Sequence, residues 1–209
     1  MRSVVLITLL LAIFAQIGSK AVLAGAKHPD SSEICAKAVR AAERMHRLPR
    51  MLLHAVSLAE SGRNHKDGAA GIAWPWTINA GGKGRYFPTR DAAINEIKRL
   101  RANGVRNIDV GCMQVNLRYH GHAFANVEEA LDPIHNVAYA AIWLKQLRGK
   151  KGSWAHAIGR YHTGHWKERG QNYWRKVRTL WTTERKRDFR DRRAARMKRQ
   201  RHQQLSAAN

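Results

Sequence analysis

The chain has 209 residues, two cysteines and a formal net charge of +23, from 38 Lys and Arg against 15 Asp and Glu. That length suits one domain with a real core plus a tail. The charge suits polyanionic partners, and beyond the N-terminus no segment is apolar enough to span a bilayer as a helix.

Arg2 precedes an apolar run from Val4 to Ile17, short of the ~20 residues a membrane span needs. Small residues stand at the positions before a cut after Ala24 or Ala26. The pattern predicts a secretory signal peptide over residues 1–24, with a retained anchor as the alternative. No Cys follows directly, so lipid attachment is unsupported. Export to the periplasm argues against nucleic acid as partner and leaves envelope polymers and membrane faces. In an oxidising compartment, Cys35 and Cys112 favour a disulfide over two buried thiols.

Asp30 with Glu33 predicts a capped helix start, and the segment to Arg47 a helix with Ile34, Ala38, Ala41 and Met45 inward. "LPRMLLHAVSLAES" predicts a second helix with Pro49 in its first turn and Gly62 as its stop. Ile72, Trp74, Trp76 and Ile78 alternate as in a strand, which Pro75 confines to an edge or irregular position. "NAGGKG" reads as a turn and "RYF" as the return strand. Thr89 caps and Gly104 ends a third helix; residues 105–122 read as irregular, with one short helix after Gly111. Asn126, Asp132 and Ser153 start further helices, and "NYWRKVRTLW" is the last before Trp181. The expected fold is mainly α, a helical domain over residues 25–181 with a small β-hairpin insertion. From Thr182 to Asn209 the chain has ten Lys and Arg, three acids and almost no large apolar residue, the composition of a disordered tail or a solvated helix.

The acids are informative by elimination. Asp30, Glu33, Asp91, Glu128, Glu129 and Asp132 fall at helix starts, where they cap or complement the dipole. Glu43 can pair with Arg47, Glu96 stands beside Arg99, Glu168 lies in a polar loop, and Glu184, Asp188 and Asp191 belong to the tail. Glu60 shares a helix face with Leu53, Val56 and Ser57, the face turned to the core. Burial there would keep its carboxyl protonated, as a general acid requires. "VGCMQVN" brings Gln114, with both donors and acceptors suited to sugar hydroxyl and acetamido groups. "GRYHTG" places Tyr161 at a helix end between glycines.

In this order, "AES", "GCMQ" and "RYHTG" resemble the soluble lytic transglycosylase (SLT) domain of the lysozyme-like superfamily, over about Ile34 to Trp181. The "NYWRKV" helix is similar to the family's closing segment, and the "WPWTIN" hairpin resembles a subgroup. Cys112 stands where the family often has Leu, and Arg160-Tyr161-His162 where it often reads Ala-Tyr-Asn.

The resemblance implies cleavage of the β-1,4 bond from N-acetylmuramic acid to N-acetylglucosamine in peptidoglycan, with 1,6-anhydro ends and no second carboxylate. Glu60 would be acid and then base, and Tyr161 would hold its carboxyl or steady the developing cation. Gln114, Met113 and Asn116 would line the groove, with Trp74 or Trp76 as a candidate for stacking on sugar faces. A hydrolytic muramidase using Asp67 or Asp109 is one alternative, and a non-catalytic envelope-binding protein is another. "HGH" and "HTGH" give no complete metal-ligand set, so neither metal nor cofactor is expected. The tail would hold the enzyme to an anionic membrane surface or an envelope machine.

Overall fold

The computed structural model describes residues 31–63, 71–150 and 152–207. The signal-peptide assignment, the Asp30 cap and Asp67 lie outside the described residues. Helix α1 (Ser31–Met45) buries Cys35, Val39 and Ala42, while Met45 is 75% exposed. The inward face is therefore one residue on from the stripe expected through Ile34, Ala38, Ala41 and Met45. Neighbouring stripes on a helix lie only ~100° apart, and the bond from Cys35 to Cys112 selects the one it occupies.

Glu43 does not serve Arg47. It is buried, and its carboxylate accepts from the backbone N–H of Met51 (2.9 Å) and of His54 (3.1 Å). It thus caps α2 (Leu52–Ser61), whose preceding residue Met51 sits at φ 64 with no side-chain cap of its own. The helix begins at Leu52, later than the Pro49 turn expected. Gly62 ends it.

Two cores result. Leu52, Leu53 and Val56 pack with Val39, Met113, Val137, Leu144, Ile158 and Val177. Met113 comes from the turn over residues 111–114, and the others from α1, α2, α6 (Pro133–Arg148), α7 (Trp154–Thr163) and α8 (Glu168–Ala207). The second core joins Ile78, Ile108 and Val110 to Ile97 of α3 (Arg90–Ala102) and Leu131 of α5 (Val127–Leu131). Thr89, Asn126, Asp132 and Ser153 cap their helices as expected.

The sheet is larger than a hairpin. β1 (Gly62–Arg63) pairs with β2 (Ile72–Ala73). β3 (Thr77–Ala80) turns through Gly81 and Gly82, both at positive φ, into β4 (Lys83–Tyr86). β3 also pairs with β5 (Ile108–Val110), which pairs with β6 (Val115–Asn116) ahead of α4 (Leu117–His120). The stretch expected to be irregular thus supplies two strands of a four-stranded antiparallel sheet. Strands of two or three residues show no alternation to read; their partners define them. Trp74 and Pro75 fall between strands rather than in one.

Asn136 ties the sheet turn to α6. Its side chain accepts from Met113 N–H and donates to the Val110 and Ala130 carbonyls. Gly111 lies at φ 81, and a Cβ there would come 2.7 Å from the Asn136 amide. Only glycine fits.

α8 is one helix of 40 residues, so the segment from Thr182 is not disordered up to Ala207. Its residues are mostly good helix formers. The domain also extends past Trp181: Glu184 is buried 3.6 Å from His54 Nε2, Asp188 pairs with Arg50, and Trp181 donates to the Arg50 carbonyl. Arg192 to Ala207 is exposed throughout. Among the described residues no helix is long and apolar enough to cross a membrane.

Candidate active site

The last turn of α2 carries Glu60, whose side chain is 13% exposed. Ser61 holds that turn to the sheet by donating to the Cys112 carbonyl at 2.8 Å. Burial pushes the Glu60 carboxyl up to about 7, and the charge of Asp109 adds to this. The Tyr173 hydrogen bond and Lys176 oppose it. The result is a carboxylic acid that holds its proton near neutral pH.

Tyr173 on α8 donates to Glu60 Oε1 at 2.5 Å. The His162 ring stacks on Tyr173 (centroids 4.2 Å apart, planes 6°), with Nδ1 3.9 Å from the same oxygen. Lys176, one turn beyond Tyr173, donates to the Ala59 carbonyl. One helix therefore braces the acid and the backbone beside it. Tyr161 does not reach the carboxyl's hydrogen-bonding position: its hydroxyl donates to the Met113 carbonyl at 2.8 Å. The hydrogen bond to the Glu60 carboxyl comes from Tyr173 instead, while Tyr161 lines the cleft beside it. On the sequence, Tyr173 and Val177 are four apart on the closing helix, which marks a buried face but not the partner of the hydroxyl.

Glu60 opens into a cleft of about 550 Å³. The sheet side supplies Asn79, Asp109, Gln114 and Asn116; the helix side supplies Tyr119, His120, Tyr139 and Trp143, with Arg160 to Gly164 at the end of α7. Gln114 lines the cleft as expected, its amide N–H groups spent on the Thr77 and Gly111 carbonyls. That leaves its oxygen as the free end. Asn116 also lines the cleft, donating to Asp109 and Asn107 while its oxygen caps α4. Met113 is fully buried, so only its backbone serves the site.

Trp74 and Trp76 are not in the cleft. Trp76 belongs to the second core, and Trp74 donates to the Phe87 carbonyl with the Arg63 guanidinium 4.4 Å over its ring. Trp76 is buried, and Trp74 is half-buried with Arg63 over its ring. Asp109 does share the cleft with Glu60; burial raises its carboxyl, against the Asn116 hydrogen bond at 2.7 Å. A separate hollow of about 650 Å³, lined by Arg101, Arg106 and Arg118, contains no acid or nucleophile. Among the described residues no group of three or more His, Cys, Asp or Glu could hold a metal ion.

The family model for the transglycosylase SLT domain matches residues 37–180, and the chain belongs to that family. No curated protein and no solved structure gives a match. Membership makes this a lysozyme-like, mainly helical domain of the transglycosylase type that acts on peptidoglycan in the cell envelope.

Proposed function

We propose that the chain is an exported lytic transglycosylase that cleaves the β-1,4 bond from N-acetylmuramic acid to N-acetylglucosamine and leaves 1,6-anhydromuramic ends. The observation that carries this is Glu60: a buried carboxyl with its pKa pushed up to about 7, lining a cleft of about 550 Å³. Tyr173 occupies Oε1, which leaves Oε2 for the substrate. The acid gives its proton to the glycosidic oxygen as the bond from that oxygen to C1 breaks. The carboxylate so formed is stabilised by the Tyr173 hydroxyl and the Lys176 charge. It then takes the proton of the muramic acid C6 hydroxyl as that oxygen bonds to C1. One proton passes from O6 through Glu60 to the leaving oxygen, and no water is consumed. The "WPWTIN" hairpin is the mark of a subgroup within the family.

Asp109 supports a second reading, a hydrolytic muramidase, because it lines the same cleft as Glu60. There it would position a water for attack on C1. Both readings need Glu60. Glu60→Gln is expected to reduce release of soluble fragments from sacculi by at least about a hundredfold, the smaller end of what a general acid contributes. A variant retaining more than a tenth of the parent rate would remove Glu60 from the mechanism.

A further inference from the structure

We propose that His162 is a positioning residue for Glu60: its ring lies on Tyr173, holds the phenol hydroxyl on Oε1 of the carboxyl and keeps cleft water off the pair. This rests on the reading of Glu60 as the acid and names the residue that keeps it in place. His162 stands where the family often has Asn, so the role belongs to this chain.

Two glycines bring the ring there. Gly159 of α7 and Gly170 of α8 meet where the helices cross, and a Cβ on either would stand 2.9 Å from the other's carbonyl oxygen. No side chain fits between the helices at that point. Three residues further along each helix stand His162 and Tyr173. The close crossing sets their rings face to face, with centroids 4.2 Å apart and planes 6° from parallel. Just beyond His162, Gly164 at φ 75 closes α7 with its N–H on the Arg160 carbonyl at 2.7 Å. The turn that carries the imidazole is thereby fixed.

The imidazole is the layer between Tyr173 and solvent. Tyr173 is 6% exposed and does not line the cleft; the His162 side chain is 49% exposed and does. A ring laid flat on the phenol opposes its tilting, and the hydroxyl stays on Glu60 Oε1. His162 Nδ1 is 3.9 Å from that oxygen, too far for a hydrogen bond, so the ring acts by contact and not as a donor to the acid.

The charges around the pair fit this role. Glu60 faces Lys176 and the Tyr173 hydroxyl on α8, Asp109 on β5 and the Tyr161 hydroxyl on α7, with Arg160 lining the same cleft. His162 faces Lys176, and burial together with that charge lowers its pKa. The imidazole is therefore neutral at neutral pH. A neutral ring covers the acid without ionising it, whereas a cation there would favour the carboxylate.

The test compares His162→Ala, His162→Asn and His162→Phe in the full-length protein. Kinetics are read on soluble glycan strands, and the Glu60 pKa by carbon NMR of its carboxyl, with Glu60→Gln identifying the resonance. Burial is the largest cause that holds this carboxyl up, so opening the pair to water moves it down, although the loosened Tyr173 bond pushes the other way. Ala and Asn are each expected to lower the Glu60 pKa and the basic limb of kcat/KM by about one pH unit, and kcat by about tenfold, with KM within about twofold. Phe, which stacks but cannot hydrogen-bond, should recover most of both. If the Ala variant does not fold, judged by circular dichroism, Asn carries the test. Recovery by Asn and not by Phe, or a loss confined to KM, would make His162 a ligand of the sugar and overturn the proposal. An unmoved Glu60 pKa in the folded Ala and Asn variants would overturn it as well. The NMR titration needs no turnover. A shifted carboxyl in a protein that does not cleave glycan would therefore strike the reading of Glu60 as the acid and leave its positioning by His162 standing.

Discussion

Glu60→Gln should make the protein more stable at alkaline pH while it destroys activity. In the folded chain burial holds the Glu60 carboxyl at about 7, against an ordinary value of 4.5. Between those pH values the native state keeps a proton that the unfolded state has released. Stability therefore falls as pH rises from 4.5, and the loss is complete above about 7. The gap corresponds to about 3 kcal/mol. Gln has nearly the same shape, can accept the Tyr173 hydroxyl, and cannot ionise. The expected gain is thus about 3 kcal/mol at pH 8 and near zero at pH 4.5. For a chain of this size that is a rise in Tm of roughly 6–12 °C at pH 8. Scanning calorimetry of parent and variant across this range measures it. His54 gives an internal control of opposite sign. Burial, with Arg40 and Arg187, lowers its pKa to about 4 from 6.5. The unfolded chain takes up that proton first, so stability is lost as pH falls from 6.5 through 4. The variant should keep this acid-side loss and shed the alkaline one. Equal stability of the two proteins at pH 8 would refute the buried, protonated carboxyl and with it the proposed acid.

Tyr173→Phe removes a donor that favours ionised Glu60, so the basic limb of kcat/KM on sacculi should move up by about one to two pH units, with a lower maximum. An unmoved or lowered limb would contradict the contact. Cys35 and Cys112 are bonded across a separation of 77 residues, for which the chain-entropy estimate is up to about 4.5 kcal/mol. Reduction should lower Tm, and titration of unfolded, unreduced protein should find no free thiol. Ending the chain after Asp191 should leave cleavage of soluble glycan fragments unchanged. It should remove salt-sensitive binding to anionic vesicles, since the six basic and no acidic residues from Arg192 to Ala207 form a free rod about 24 Å long. Ending it after Trp181 should in addition lower Tm, because Glu184 and Asp188 go with it. An identical salt profile in the shorter chain would leave the rod without a binding role.

What could be read from the sequence was local. Glu60 was legible because Leu53, Val56 and Ser57 define its face within one helix. The helix caps were legible because each lies within three residues of the N–H it serves. Tyr173 was not, since its hydroxyl meets a carboxyl 113 residues earlier in the chain. Glu43 and Glu184 misled for the same reason. Each sits where a solvated acid would sit on its own helix, and α2 covers both. Trp74 and Trp76 looked available for a sugar because composition shows rings but not what covers them. Tyr139 and Trp143 have the look of ordinary apolar positions on α6, and only the fold brings them to the cleft that Glu60 lines.

The central claim is that Glu60 works with the substrate's own hydroxyl rather than with water. Mass spectrometry of the fragments released from purified sacculi by full-length protein tests it most directly, with Asp109→Asn run alongside. Muramic acid ends in the 1,6-anhydro form, from parent and Asp109→Asn alike, are the expected result. Reducing ends heavier by one water from the parent, with their loss in Asp109→Asn, would contradict the account and make Asp109 the partner of Glu60 in a hydrolase.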